Sequence, residues 1–346
     1  MNIIKPGYEI ITEKDPLKKI ERIARVCYKS EDRIDDGTDR KMIKMLTNRG
    51  HTAMLEHASL SFEICLTLFV QLNTFCQMLE TIAVHKNEHT LKRQYLKFTT
   101  LHDAKGNNLR YIITGNIRAW YQTINRIIEH YKWTNEIVLN AIDDATHGVF
   151  DFKSKITCET EQDGWMRLLT DNEIMQLSYQ ERMAHEQLSV LFTVDRGITH
   201  ELVRMREASF AQESSRYCNY GNNKFGNEIA VILPCFFDTG MGTGSNSTVY
   251  ESWKQSCETA ERTYIHLIND FGAKPEQARS VLPTSTKSEI VVTAYLDEWK
   301  HIFNLRACDA TGPAHPQMKE VMIPLFKEIK SMDKYKGLFD NMHEAE

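Results

Sequence analysis

Arg196-Gly-Ile-Thr-His-Glu-Leu-Val-Arg-Met-Arg-Glu-Ala-Ser-Phe-Ala-Gln-Glu-Ser-Ser-Arg-Tyr-Cys-Asn-Tyr220 crowds arginine, serine and glutamate side chains around a thin apolar line. Between Ile198 and Ala208 the residues Ile198, Leu202, Val203 and Ala208 can share one helical stripe, with Glu201 and Arg204 on an adjoining edge. Arg204 and Arg206, two residues apart, then project about 200° apart around the axis and serve different neighbours. Past Ala208 the helical pattern fades, and in an extended segment Ser214 and Arg216 point the same way, offering a hydroxyl and a guanidinium to one anion. A solvated charged helix with a polar exit loop has the same composition, so the order of the residues must decide. Upstream, Ser189 to Val194 reads as a strand that feeds the helix through a turn at Asp195-Arg196-Gly197. The arginines therefore lie beyond the end of a strand, where sites in α/β layers gather.

The chain has 346 residues, enough for one large or two modest domains. With 26% charged and 42% hydrophobic residues it has the composition of a globular protein. A formal net charge of −5 gives no general pull towards nucleic acid, so the basic residues read as local anion sites. No apolar run approaches the roughly 20 residues of a membrane helix, and Met1 to Gly7 lacks the apolar core of a signal peptide. The eight cysteines are scattered, without Cys-x-x-Cys pairs or zinc-like Cys/His spacing. That usage predicts reduced thiols, a cytoplasmic setting and no bound metal.

Asp15-Pro16 reads as a cap followed by proline at the first helical position, with Leu17, Ile20, Ile23, Ala24 and Cys27 at helical spacing. Arg40 to Arg49 forms a second helix, stopped by Gly50. Alternation from Leu60 to Leu68 predicts a strand, preceded by a cluster containing His51, Glu56 and His57. Taken alone, such residues are more often caps or surface groups than ligands. Gln71 to Val84 reads as helix, Tyr95–Thr100 and Leu109–Thr114 as paired strands, and Asn116 as the cap of a helix to Trp133. Val149 to Gly164 reads as loop. Ile229 to Pro234 is apolar and extended, and Gly240-Met-Gly-Thr-Gly244 reads as linker rather than as a phosphate loop. A long helix from Val249 to Phe271 stops at Gly272, another opens at Pro275, Glu289 to Thr293 is a short strand, and helices follow over Leu296–Arg306 and from Pro316. The fold class is α/β, with a central mixed or antiparallel sheet flanked by helices. No Gly/Ser/Pro linker interrupts the chain, which predicts one elaborated domain over residues 1–346, with 70–186 an elaboration within it.

Read as Arg-x-Arg-x-x-Ser-x-x-x-x-Ser-x-Arg, residues 204–216 closely resemble the signature of the flavin-dependent thymidylate synthases, Arg-His-Arg-x-x-Ser-x-Asn-x-x-Ser-x-Arg. The flanking His200-Glu-Leu-Val-Arg204 and Gln212-Glu-Ser-Ser-Arg-Tyr-Cys-Asn-Tyr220 resemble the longer-chain branch of that family. Further landmarks are Gly50-His-Thr-Ala-Met-Leu-Glu-His57, Thr114-Gly-Asn-Ile-Arg-Ala-Trp120, Ala278-Arg-Ser-Val-Leu-Pro283, Phe303-Asn-Leu-Arg306 and Ala314-His-Pro-Gln-Met318. Outside Val70 to Glu186 they run through the chain. The resemblance implies a flavin-dependent thymidylate synthase-like fold with an inserted block. Its implied activity is transfer of a one-carbon unit from methylenetetrahydrofolate to C5 of dUMP, with FAD as the flavin and NADPH as reductant. It also implies a homotetramer with active sites between subunits.

By the same resemblance the substrate residues are Glu201, Arg204, Gln212, Ser214, Ser215, Arg216, Arg279 and Arg306. Arg306 is the arginine that contacts the uracil and favours its N3-deprotonated form. The cofactor residues are His51, Ala53, Glu56, Arg204, Met205, Arg206, Tyr295 and His301. Chemistry agrees with the assignment, since forked guanidiniums suit a nucleotide phosphate and the scheme needs no cysteine nucleophile. Four positions depart from the family pattern: Met205 for histidine, Ala53 for serine or threonine, Ala211 for asparagine or serine, and Tyr295 near a usual asparagine. Methionine loses an imidazole donor but keeps a polarizable body that can pack on a ring. Two alternatives therefore stay open: hydroxymethylation of dUMP or another pyrimidine nucleotide with a weakened flavin step, and a non-catalytic nucleotide-binding subunit.

Overall fold

The computed structural model of the chain describes residues 1–66, 96–101, 110–132, 134–156, 164–222, 226–237 and 245–345. Asp15 Oδ1 accepts the backbone N–H groups of Leu17 at 2.9 Å and Lys18 at 3.0 Å, so the aspartate caps helix α1 (Pro16–Val26), with proline at its first position. Helix α2 (Thr38–Asn48) ends at Gly50, whose φ of 71° is a conformation cheap for glycine. By internal contacts the chain divides into two units. One comprises Met1–Ile11, Ala24–Arg33 and Leu188–Glu346; the other comprises Thr12–Ile23 and Ile34–Gln187 and takes in the described part of the 70–186 block.

The second unit is built on an antiparallel sheet of strands β3 (Ser59–Leu66), β4 (Leu96–Leu101), β5 (Arg110–Asn116) and β6 (Gly164–Leu168), in the order β4-β5-β3-β6. Leu60, Phe62 and Ile64 alternate into its core, and β4 pairs with β5 as their sequences suggest. Asn116 Oδ1 accepts the Ala119 N–H at 2.8 Å and starts helix α3 (Ile117–Arg126), which passes into a π-helical turn at Ile127–Tyr131. Lys132 at φ 52° closes it, one residue short of the expected end at Trp133, which lies outside the described residues. Trp120 meets Phe62 edge-on at 5.3 Å between centroids, and its indole N–H donates to the Leu60 carbonyl at 3.1 Å. Helices α4 (Glu136–Ala145), α5 (Asp171–Met175) and α6 (Tyr179–His185) complete the unit, the last two opened by capping boxes at Thr170 and Ser178. Within the expected loop at 149–164 the chain makes a short 3-10 turn, Lys153–Lys155.

The first unit carries a sheet of β2 (Gly7–Ile10), β7 (Gln187–Asp195), β8 (Ser209–Gln212) and β10 (Lys287–Tyr295), in the order β2-β7-β10-β8. A separate parallel pair joins β1 (Asn2–Ile4) to β9 (Ala230–Ile232). The α/β class is thus as expected, but each unit has its own four-stranded sheet in place of one central sheet. The helices are α7 (Arg196–Leu202), α8 (Ser245–Asn269), α9 (Pro275–Ala278), α10 (Leu296–Arg306) and α11 (Pro316–Ser331). Trp299 and Phe303 of α10 pack with Phe326 and Phe339 in one aromatic core, and the Trp299 indole donates to the Leu188 carbonyl at 3.0 Å. A second buried cluster joins Cys218 and Tyr220 to Ile229, Val231, Cys257, Tyr264 and Ala278. The expected helix at Gln71–Val84 and the Gly240–Gly244 linker lie outside the described residues. No helix among the described residues is long and apolar enough to cross a membrane.

Replacing Trp120 by Phe keeps a ring against Phe62 but leaves the buried Leu60 carbonyl without that donor. A loss of about 1–3 kcal/mol is expected, read as a lower urea midpoint at unchanged m-value.

Candidate functional site

Asp195 ends β7 and caps α7 directly, its Oδ1 accepting the Ile198 N–H at 2.8 Å while Oδ2 accepts from Gln317 Nε2 of α11 at 2.7 Å. The expected turn at Asp195-Arg196-Gly197 is therefore absent, and Arg196 and Gly197 form the first helical turn. A Cβ on Gly197 would lie 3.1 Å from both Asp195 Oδ1 and Thr284 Cγ2, so glycine allows the cap to close on a neighbouring segment. Helix α7 stops at Leu202 rather than running to Ala208. Arg204 and Met205 have good helix propensity, but Ser209 must enter the sheet opposite Thr293, and pairing in β8 prevails over local preference. The reversal at 203–207 leaves Arg204 and Arg206 exposed and Met205 only 6% exposed.

After β8 the chain turns at once. The Ser214 N–H donates to the Cys27 carbonyl at 3.0 Å, the Ser214 carbonyl accepts from the N–H groups of Tyr217 and Cys218, and Ser214 Oγ accepts from the Arg216 N–H at 3.4 Å. The segment expected to be extended is thus a hydrogen-bonded turn, fixed by carbonyls a straight strand would leave open. Arg279 Nη1 donates to Ser215 Oγ at 3.4 Å, and the exposed Arg216 guanidinium lies 3.6 Å from the Glu276 carboxylate and 5.5 Å from the Tyr217 ring centroid. Ser214, Ser215 and Arg216 accordingly share one turn, which Arg279 reaches through Ser215. Gln212 is engaged differently, its amide donating to Thr199 Oγ1 at 3.0 Å and Ser288 Oγ at 3.1 Å.

At the C-terminal end of β10, Tyr295 precedes α10 and is 6% exposed; burial, then Asp297, raises its phenol above the usual range. Arg306, on the last turn of α10, reaches back to α7, with Nη1 3.5 Å from Glu201 Oε2 and Nη2 donating to the Glu201 carbonyl at 3.3 Å. Its buried Nε has no hydrogen-bond partner among the described residues, while His301 on the same helix is exposed. His51, Ala53 and Glu56 belong to the other unit. His51 and Ala53 are exposed there, and Glu56 is buried in an ion pair with Arg118.

Sequence reasoning missed a run of charge behind the Ser214 turn. Tyr220 OH donates to Glu213 Oε1 at 2.8 Å, and Lys287 Nζ bridges Glu213 Oε2 at 3.0 Å and Glu289 Oε1 at 2.6 Å. Lys29 Nζ joins Glu289 Oε2 at 2.6 Å to Glu31 Oε1 at 3.1 Å. Lys29 has φ 48°, a conformation glycine or asparagine enters more readily, and it keeps its ammonium there. The visible signal is Lys287-Ser-Glu289, two charges on one face of an otherwise apolar strand. Burial opposes the charge on Glu289, but Lys287 and Lys29 outweigh it and hold the carboxyl below its usual range. Burial likewise opposes the Lys29 ammonium, and Glu289 and Glu31 raise it above the ordinary lysine range. Among the thiols, burial pushes Cys27 up to about 11, and burial with Glu213 nearby pushes Cys218 up to about 12. Among the described residues no cluster of three His, Cys, Asp or Glu could hold a metal ion.

The family model described as thymidylate synthase complementing protein matches residues 9–73 and 126–332. The chain belongs to this family. A flavin-dependent thymidylate synthase of Geobacter sulfurreducens is 28% identical over 162 residues, 46% of this chain and 64% of that protein. One of Pyrococcus furiosus is 31% identical over 160 residues, 45% of this chain and 61% of that protein. Each match spans less than two thirds of the relative. A UMP/dUMP methylase of Streptomyces cacaoi, solved with 5-Br UMP, aligns over 98% of this chain and 96% of its own at 15% identity, with a TM-score of 0.40 too low to carry an argument. The resemblance read from residues 204–216 and their flanks is thus borne out at the level of the family.

Because Glu289 is held below the ordinary 4.5 of a glutamate and Lys29 above the ordinary 10.5 of a lysine, their stabilisation is complete between those values. It is lost as pH falls through the folded carboxyl's pKa or rises through the folded ammonium's. Glu289→Gln is therefore expected to be less stable than the parent near neutrality, by a margin that shrinks on acidification below about pH 4.5. Urea titrations at a series of pH values measure it.

Proposed function

We propose that this member of the family transfers a one-carbon unit from methylenetetrahydrofolate to C5 of dUMP, making dTMP. The observation that carries the reading is the Arg279 guanidinium on Ser215 Oγ, in the turn that also bears Ser214 and the exposed Arg216. A nucleotide monophosphate carries about −1.5 to −2 charges near neutrality, and two guanidiniums with hydroxyls and turn N–H groups match it. Arg306, steadied by Glu201, offers a fixed cation to the pyrimidine. A cation beside a ring that loses its N3 proton lowers the cost of that ionisation and makes C5 more nucleophilic. Cys27 and Cys218, with raised thiols, are unsuited to attack the ring as thiolates.

For the flavin, the exposed guanidiniums of Arg204 and Arg206 fit the pyrophosphate of a dinucleotide. His51, Ala53, Glu56, Met205, Tyr295 and His301 are proposed as the remaining cofactor residues. When bound, reduced FAD would supply the hydride that converts a transferred methylene to methyl, with NADPH as the source of electrons. This chain's residues bind, orient and charge-balance the reactants. We infer further that the protein works in the cytosol as a homotetramer whose sites are completed between subunits, a state that sedimentation velocity would report.

Purified protein that retains an oxidised-flavin band after excess FAD is removed, with the band perturbed by dUMP, is the expected outcome. Flavin lost at every workable concentration while dUMP still binds would overturn the methylation reading. Arg216→Ala and Arg279→Ala are each expected to weaken dUMP binding by roughly tenfold to a hundredfold, measured calorimetrically, with little effect on a nucleoside that lacks the phosphate.

A further inference from the structure

The residues proposed to grip the phosphate, Ser214, Ser215 and Arg216, occupy one short turn, and neither end of it is held by backbone pairing alone. On the near side Glu213 leaves β8, its N–H donating to the Glu289 carbonyl at 2.8 Å. On the far side the chain returns at Tyr220, whose phenol donates to the Glu213 carboxylate. That one bond closes the loop from residue 213 to residue 220. Glu213 has a side chain 1% exposed, so its charge is tolerable only because Lys287 answers it. Lys287 also binds Glu289, and Glu289 binds Lys29. Lys29 lies two residues past Cys27, whose carbonyl receives the Ser214 N–H. The charge run therefore ties together the four segments that surround the turn: its two flanks, the neighbouring strand β10 and the loop after α1.

Resting on the phosphate-gripping role of the turn, we propose that Glu213 is a positioning residue for the nucleotide phosphate. Held by Lys287 and Tyr220, it fixes the shape in which Ser214, Ser215 and Arg216 meet the anion, and it does not touch the anion itself. Alternation of sign is what makes this work. Each ammonium sits between two carboxylates, and Lys287 is the cation that answers Glu213, so Lys287 cannot swing out without stranding a buried carboxylate. A cavity of about 120 Å³ lined by Lys29, Glu213, Tyr220 and Lys287, among others, adjoins the run. Bordered by these polar groups and roomy enough for water, it allows a neutral amide at 213 to be hydrated in place. Glu213→Gln is therefore expected to fold while loosening the turn.

The test compares Glu213→Gln, Lys287→Met and Lys287→Arg with the parent, using dUMP and deoxyuridine as probes. Expected for Glu213→Gln is a tenfold or greater weakening towards dUMP, with affinity for deoxyuridine unchanged and any turnover affected in KM rather than kcat. Lys287→Met, which strands the carboxylate, is expected to do the same more severely, and Lys287→Arg, which restores a cation, to recover most of the loss. Equal losses for dUMP and deoxyuridine, or no loss, overturn the inference. Hydrogen exchange at the amides of residues 215–217 reads the turn without any nucleotide and is expected to quicken in Glu213→Gln and Lys287→Met but not in Lys287→Arg. Unchanged protection overturns the inference whether or not dUMP binds. A parent protein that ignores dUMP while the amide pattern holds refutes the nucleotide reading instead.

Discussion

Four rungs of antiparallel pairing, Ser209 to Gln212 against Thr293 to Ile290, set the position of nearly every candidate residue in the first unit. Because strand side chains alternate, a slip of one residue would turn Gln212 away from Ser288 and carry the Ser214 turn to the other face. Strand β10 lies between β7 and β8, and its exit at Tyr295 starts the helix that carries Arg306. Strand β7 exits at Asp195 and starts the helix that carries Glu201. The pair Glu201–Arg306 thus joins helices launched from opposite ends of the sheet: Ser189 near the start of β7 meets Thr293 near the end of β10, while the Arg196 N–H meets the Thr284 carbonyl ahead of β10. Ala211 and Val291, opposite each other and fully buried, seal the register with apolar packing, while the polar groups hang from its ends.

Charge in this unit is arranged in two regimes. Arg204, Arg206, Arg216 and Arg279 are exposed, where pairing contributes little. Behind them Glu213, Glu289, Lys29 and Lys287 are withdrawn from water and consume one another's charge. The second regime supports the first: a turn offered to an anion must resist the pull of its own arginines towards neighbouring carboxylates such as Glu276. Burial, and after it the Glu213 carboxylate, raises the Cys218 thiol and the Tyr220 phenol, so the environment that stiffens the turn also keeps these groups neutral.

Much of this was legible in the residues. Asp15-Pro16, Gly50, Asn116, Gly272 and Pro316 start or stop helices where their chemistry says they should, because caps and φ-restricted residues act locally. Ser214, Ser215 and Arg216, named from the sequence as one group with Arg279, share a turn that Arg279 reaches through Ser215. The end of α7 was not legible, since nothing between Val203 and Ala208 breaks a helix and only sheet pairing forces the reversal. The charge run behind the turn was equally hidden: its members stand at 29, 213, 220, 287 and 289, and no periodicity relates positions so far apart. Nor did composition reveal two sheets where one was expected, because strands announce their faces but not their partners.

Asp195 spends one oxygen on the first turn of α7 and the other on Gln317, 122 residues later. Two sequence landmarks, the signature helix and Ala314-His-Pro-Gln-Met318, are thus fastened to a single carboxylate. Losing the Gln317 amide would leave one oxygen of that aspartate to be satisfied anew, while its other oxygen caps the helix bearing Glu201. The C-terminal helix, remote in sequence from the arginines, is in this sense part of their foundation.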